Sequence, residues 1–463
     1  MNIDALNPAD ELQRVVSQPD RDSGDSGASV YARRRVGDRE LKRVVLASVL
    51  GSFVEWFEFS VYGYLASIMG RVFFPASTPG VQLIASLAAF AIAFFARPFG
   101  GLIFGPMGDR YGRKKVLTAT IILMAVATFC IGLIPDHATI GVAAPALLII
   151  FRLLQGVSAG GEASGAAIFV AEYCPDRNRT AITSWIEVGC MSGFCFGAVV
   201  VAALTHFFSV AQIDAWAWRL PFLLALPLGG IGLYIRYRLE ETPAFEAAQH
   251  RTGQRAGWRY LFRTHAGPLL QSSGLIIVTN VTLFTVVTYT PTYLVSTLKL
   301  DASTGLTISL VSQIFLVAMI PLLGALADRI GRKTVMLSGV LAVAVLAVPC
   351  FHLLMTGSFA TRLAALALLN LCLAAMLSCI FSKVPSLFET SVRFTGMAIS
   401  YNVSVALFAG TAPMINAWLI QATGSRMIPA YYLIAAAAVG VVALLFCHDR
   451  TGKPMHGDAP VAG

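Results

Sequence analysis

Glu55 and Glu58 lie three residues apart in an apolar run, and Tyr62 follows four residues later. On a helix that spacing puts all three side chains on one face. Two carboxylates side by side in low dielectric cannot both ionise cheaply. Such a pair can take up a proton on one side of a barrier and release it on the other. Glu162 in "GGEAS", Glu187 in "SWIEVG", Arg97 and Arg152 sit in further apolar runs. Arginine stays charged, so Arg97 and Arg152 can hold a carboxylate or neutralise a glutamate but cannot relay protons by titration. An ionisable group at the centre of a membrane helix costs roughly 2.5–3.5 kcal/mol on insertion scales, so each calls for a role. Glu162, Glu55, Glu58 and Glu187 are therefore expected to handle protons. Glu55, Glu58, Tyr62, Arg97, Trp185, Asn280 and Tyr289 are expected to contact a bound small molecule, with the aromatic rings of Trp185 and Tyr289 suited to an ammonium group. All seven histidines fall in loops or at segment ends, which leaves proton chemistry to carboxylates.

The elements that must position these residues follow from composition. The chain has 463 residues, 56% hydrophobic and 13% charged, with a mean hydropathy of +0.71. A soluble domain carries about 25% charged residues. A soluble enzyme, a disordered protein and a disulfide scaffold are excluded. Unbroken apolar runs such as Pro145–Ile150 and Ala435–Cys447 exclude the alternating pattern of a membrane barrel. The expected fold class is an all-α membrane protein with twelve transmembrane helices in two six-helix halves. Apolar segments fall at about 44–68, 82–106, 115–135, 145–172, 180–207, 218–238, 267–296, 304–327, 334–355, 361–387, 393–421 and 427–447. Residues 1–43 read as a disordered cytoplasmic tail without an apolar signal segment. The first half spans 44–238, an Arg-rich cytoplasmic linker 239–266, the second half 267–447, and a short cytoplasmic tail 448–463.

With both termini inside, 27 of the 34 Lys and Arg fall on the inner side and five on the outer, which predicts cytoplasmic termini and an inner-membrane location. Adhesion to anionic lipid accounts for the net charge of +9 without nucleic acid. The eight cysteines form no CxxC pair, no metal spacing occurs, and no phosphate loop or nucleophilic triad is present. The chain is expected to be a monomer with no cofactor and no metal, and not an enzyme.

An internal repeat supports the division into halves. Gly105-Pro-Met-Gly-Asp109-Arg110-Tyr-Gly112-Arg113-Lys follows the second segment, and Gly-Ala-Leu-Ala-Asp328-Arg329-Ile-Gly331-Arg332-Lys follows the eighth. The glycines permit a tight turn. The aspartates can pair with arginine across a helix end, as a latch that breaks and reforms when the halves rock. In segment 4, Gly156-x-x-x-Gly160 and Gly161-x-x-x-Gly165 are small-residue pairs that let another helix approach closely.

These loops resemble those of the major facilitator superfamily. "FVEWFEFSVYGYLA", "RPFGGLIFGPMGDRYGRKK", "RLLQGVSAGGEASGAAIFVAEYCPDRNR" and "WAWRLPFLLALPLGGIGLYIRYRLEETPAF" narrow the likeness to its metabolite:proton symporter family, over about 44–447. The resemblance implies proton-coupled uptake of a zwitterionic osmolyte such as proline or glycine betaine, with protons and the small molecule as partners. Osmolyte-carrying relatives usually place an aromatic after the segment-4 glutamate; here Ala163 follows Glu162. The last 16 residues carry no heptads, so the resemblance does not extend to a heptad-based osmotic switch.

The second half offers mainly neutral polar groups: Asn280, Thr282, Thr285, Thr288, Tyr289 and Tyr293 in segment 7, and Tyr401, Asn402 and Ser404 in segment 11. Glu172, beside "CPDRNR", is expected to pair with arginines at that helix end. A di- or tricarboxylate such as citrate or 2-oxoglutarate is the alternative cargo, but an anion needs several cationic groups. Arg97 and Arg152 stand against Glu55, Glu58, Glu162 and Glu187, which favours a zwitterion or cation. A nontransporting sensor would need an output domain in the tail or linker, and neither shows one.

Overall fold

The computed structural model describes residues 34–35, 38–75, 79–237, 258–390, 392–455 and 461–462. The expected tail 1–43 and linker 239–266 thus lie largely outside the described residues. Among the described residues, twelve helices are long and apolar enough to cross a membrane: α1 Leu41–Tyr64, α2 Ala88–Gly108, α3 Lys114–Leu133, α4 Ala143–Tyr173, α5 Arg179–Phe207, α6 Val210–Tyr234, α7 Ala266–Val295, α8 Thr304–Ile330, α9 Arg332–Thr356, α10 Phe359–Lys383, α11 Arg393–Thr423 and α12 Ile428–Phe446. An even number of crossings puts the start of α1 and the end of α12 on one face. The flanking strands β1 (Arg34–Arg35) and β2 (Val461–Ala462) pair in parallel.

Packing repeats between α1–α6 and α7–α12. α1 lies along α5, and α2 and α3 lie against α4; likewise α7 lies along α11, and α8 and α9 lie against α10. Across the two groups, α5 packs on α8 and α2 on α11. These are the same relation with the groups exchanged, since α5 corresponds to α11 and α2 to α8. The sequence repeat reappears as backbone: Gly112 and Gly331 have φ of 106° and 105° at the α2–α3 and α8–α9 turns, where a Cβ would be strained.

Two glycine stripes bring the helix axes close. A Cβ at Gly156 or Gly160 would sit 2.0 Å from the Ala93 carbonyl oxygen or 2.2 Å from that of Arg97, so the segment-4 glycines seat α4 on α2. The second stripe was not singled out in the sequence. Gly189, Gly193 and Gly197 of α5 face Val49, Phe53 and Ser60 of α1 with equally little room. The first stripe thus brings α4 close to α2, and the second brings α5 close to α1.

Two expectations shift. The sixth span begins at Val210 rather than 218, because Ser209 and Gln212 form a capping box that starts the helix early. In α7, a π-helical stretch covers Phe284–Tyr289, and further ones occur at Tyr293–Thr297 and at Val405–Ala409 of α11. Each π turn carries an extra residue, so Tyr289 does not keep α-helical register with Thr282 and Thr285.

Candidate functional site

Two chains of buried polar groups run through α1–α4, and the first also reaches α11. In the first, Arg97 of α2 forms an ion pair with Glu55 at 3.1 Å, both side chains being 2% exposed or less. The same guanidinium donates through Nε to the Asn402 side-chain oxygen at 3.3 Å and through Nη2 to the Ala159 carbonyl at 3.4 Å. Asn402, on α11, donates in turn to the Gly160 carbonyl at 2.6 Å. In the second chain, Glu58 accepts from the Thr128 hydroxyl. Gln155 donates to that hydroxyl oxygen at 2.5 Å and accepts from Arg152 at 2.8 Å. Arg152 lies 4.0 Å from the Tyr62 ring centroid and also donates to the Ala89 carbonyl. The Phe59 ring separates the two chains, 5.6 Å from each guanidinium. An aromatic face between two cations offsets part of their desolvation.

Glu162 stands beside both chains. It accepts from the Thr120 hydroxyl at 2.7 Å, and Ser158 donates to the Thr120 carbonyl at 2.5 Å. Glu55, Thr120, Ser158 and Glu162 line a void of about 10 Å³, the space of one water. Gly51, Val54, Ile121 and Met124 complete the lining of that void. Glu187 of α5 is buried as well, and no arginine faces it among the described ion pairs.

The remaining expected contacts are dispersed. Tyr62 is fully buried, its ring under Arg152 and its hydroxyl donating to the Ser86 carbonyl at 3.3 Å. Trp185 is 47% exposed. Asn280 donates to the Ile276 carbonyl of its own helix at 3.0 Å, and Tyr289 is buried against Tyr293. The sequence did not assign roles to Phe59, Thr120, Thr128 or Gln155. Gln155, three residues after Arg152 on one helical face, was the available signal.

The expected gating residues lie on the face that carries the chain ends. Asp328 accepts from the backbone N–H groups of Thr180 and Ala181 at 3.1 and 2.8 Å, so its carboxylate caps the start of α5 in the other half. Arg332 pairs with Asp328 at 3.5 Å and donates to the Thr180 hydroxyl at 2.7 Å. Arg329 is exposed. Gly331 lies beside the Asp449 carboxylate. In the other copy of the motif, Gly105 and Gly108 lie against Thr395 and Phe394 of α11. Arg110 stacks on Tyr111 at 4.9 Å next to Gly112. The side chains of Asp109 and Arg113 lie outside the described residues. Glu172 pairs with an arginine, as expected, but with Arg393 of α11 rather than one in its own loop.

The chain has the fold of solved sugar symporters. The proton:xylose symporter XylE bound to 6-bromo-6-deoxy-D-glucose aligns with a TM-score of 0.78 at 17% identity, covering 91% of this chain and 98% of that one. In sequence, the glycine betaine/proline/ectoine/pipecolic acid transporter OusA of Dickeya dadantii is 43% identical, and the proline/betaine transporter of Escherichia coli is 42% identical. Each alignment covers 92% of this chain and 87% of the relative. The ectoine/proline transporter ProP of Corynebacterium glutamicum is 38% identical over the same share of this chain. Residues 45–410 and 309–461 match the profile of the Major Facilitator Superfamily. By sequence and by fold, this multi-pass membrane chain is a transporter, not an enzyme, and belongs to the Major Facilitator Superfamily.

Proposed function

We propose that the chain is a proton-coupled symporter that imports a small zwitterionic osmolyte, such as proline or glycine betaine, across the cell inner membrane. The two six-helix groups rock about the midplane, and both chain ends face the cytoplasm. The observation that carries this reading is the charge inventory of the buried site. Four carboxylates, Glu55, Glu58, Glu162 and Glu187, and two guanidiniums, Arg97 and Arg152, are buried there. Arg97 is already matched to Glu55, and Arg152 is held by Gln155, carbonyl oxygens and an aromatic ring. That leaves acidic groups to meet a cationic nitrogen and to carry protons, and little cationic capacity for a dicarboxylate. The names of the relatives, all built on proline, betaine or ectoine, support the same class of cargo.

Alternating access follows from the interlock at the face bearing the chain ends. Asp328, Arg332 and Arg393 tie the halves together there, which supports a state shut on the cytoplasmic side with the cargo path leading outward. Uptake of labelled proline, glycine betaine, citrate and 2-oxoglutarate into proteoliposomes with an imposed pH gradient tests the proposal. The zwitterions should accumulate, a protonophore should abolish accumulation, and sodium should be dispensable. Strict sodium dependence, or accumulation of citrate instead, overturns it.

A further inference from the structure

Asn402 is a fully buried amide of α11 that reaches into the other half of the protein. Its Nδ2 donates to the Gly160 carbonyl of α4 at 2.6 Å and to the Ala398 carbonyl of its own helix at 2.8 Å. Its Oδ1 accepts from Arg97 Nε at 3.3 Å. The opposite amide orientation would place an oxygen against two carbonyl oxygens and an NH2 against a guanidinium, so the chemistry fixes which atom is which. The approach requires Gly101, where a Cβ would lie 2.9 Å from Nδ2. All three amide functions are thus used, two of them across the interface between the halves.

Arg97 is the other end of this contact. With Nη2 on Glu55 and Nε on Asn402, one rigid guanidinium plane is held from both halves. An ionised Glu55 orients the fork so that Nε faces Asn402. A proton on Glu55 takes the charge out of that anchor and weakens it, which lets the guanidinium turn away. The Gly160 carbonyl that receives the Asn402 amide lies two residues before Glu162. When α11 parts from α2 and α4, both inter-half bonds of Asn402 must break.

We propose that Asn402 is a positioning residue for coupling: it senses the charge of Glu55 through Arg97 and makes parting of the halves depend on it. The inference rests on the proton-symport reading above and names the contact by which the second half, poor in acidic groups, is informed of protonation in the first. The charged and titratable groups around this contact are Glu55 and Glu58 of α1, Arg97 of α2, Glu162 of α4, Glu187 and Cys190 of α5 and Tyr401 of α11. Linkage makes the effect reciprocal: if protonation favours parting, parting raises the proton affinity of the site.

The test uses full-length protein in liposomes, with native cysteines replaced and spin labels at Lys115 and Ile330, exposed positions of α3 and α8 near the face bearing the chain ends. The ratio of long to short label separations reports opening of that face without cargo. In the otherwise unmodified chain the ratio should rise at least about fivefold from pH 8 to pH 5, the lower end of ordinary coupling. Asn402→Ala should give a high ratio with no pH response, and Asn402→Ser serves if the alanine variant fails to reach the membrane. Glu55→Gln should match the low-pH value at both pH values. A full pH response in both Asn402 variants overturns the proposal, as does no response in the parent. Failure of the transport reading appears separately, as uptake indifferent to a pH gradient.

Discussion

Glu172 at the end of α4 and Arg393 at the start of α11 form an ion pair at 3.0 Å in which neither side chain is exposed. The pair crosses between the halves, beside Phe394, which fills the space left by Gly108 and Gly165. The opening proposed for this face would have to separate the two charges. The strength of the pair would therefore set the balance between states as well as stability.

Removing one partner leaves the other charge buried without its counter-ion, at a cost of about 3–5 kcal/mol to the shut state. Glu172→Gln should shift the protein toward the arrangement open at the chain-end face and slow its return. The Glu172→Gln/Arg393→Gln double variant should recover part of the shut population, because no bare charge remains. A double-mutant cycle read by limited proteolysis of that face checks this, and additivity of the two single effects would contradict it.

Much of the framework was legible in the sequence because the bilayer constrains it strongly. Twelve apolar segments give twelve spans, and the repeated Asp-x-x-Gly turns give two glycines with matching positive φ. The carboxylates and arginines of the site could be picked out because such groups are rare at membrane depth. Their pairing could not. Arg97 chooses Glu55, while Arg152 is satisfied by Gln155, carbonyl oxygens and Tyr62, and only three-dimensional packing decides between those outcomes. Partners from the distant half, Asn402 and Arg393, leave no local pattern. The π turns in α7 and α11 also defeat reasoning from a fixed helical period.

Asp328 accepts two backbone N–H groups at the start of α5, where a carboxylate also meets the positive end of the helix dipole. Asp328→Asn keeps an acceptor but loses the charge, at about 1–2 kcal/mol in a partly buried setting. Uptake should slow several-fold with the cargo affinity little changed, since the site lies elsewhere. A rise in KM with unaltered kcat would count against the latch.

Cys174 reports the same event chemically. Burial pushes its thiol up to about 12, with Arg179 acting in the opposite direction. Neutral and enclosed, it should resist maleimide at pH 7 while the face is shut. Opening returns it toward the ordinary thiol range near 8.5, where a few per cent is thiolate. In a chain retaining only this cysteine, Asp328→Asn should speed alkylation by more than about tenfold. Equal rates in the two chains would place Cys174 outside the moving interface.

The Tyr62 ring is engaged by Arg152 at 4.0 Å, while its hydroxyl makes a pair of long hydrogen bonds with Ser86, donating at 3.3 Å and accepting at 3.5 Å. Tyr62→Phe removes only the latter, about 1 kcal/mol, and should transport nearly normally. Tyr62→Leu removes a cation–π contact worth about 2 kcal/mol in a desolvated setting and should lower the melting temperature in detergent. If the phenylalanine variant instead loses cargo affinity selectively, the hydroxyl meets the cargo.

Glu162 gives the sharpest separation of proton handling from cargo binding. Glutamine at Glu55 would leave the buried Arg97 without its carboxylate, so loss of function there mixes coupling with structural damage. Glutamine at Glu162 can still accept from Thr120, because the donor is a neutral hydroxyl. If Glu162 is the coupling acid, Glu162→Gln cannot release a proton. Uphill accumulation driven by a pH gradient should then disappear, while exchange of labelled for unlabelled proline continues near the parent rate, since exchange needs no net proton movement. If Glu162 instead binds the ammonium of the cargo, both activities fall together. A lost charge-assisted contact of about 1.5–3 kcal/mol lowers affinity roughly ten- to a hundredfold. Both activities are measured for the Gln variants of Glu55, Glu58, Glu162 and Glu187 in the same liposomes. Parent-level uphill uptake in all four would remove carboxylates from the coupling mechanism.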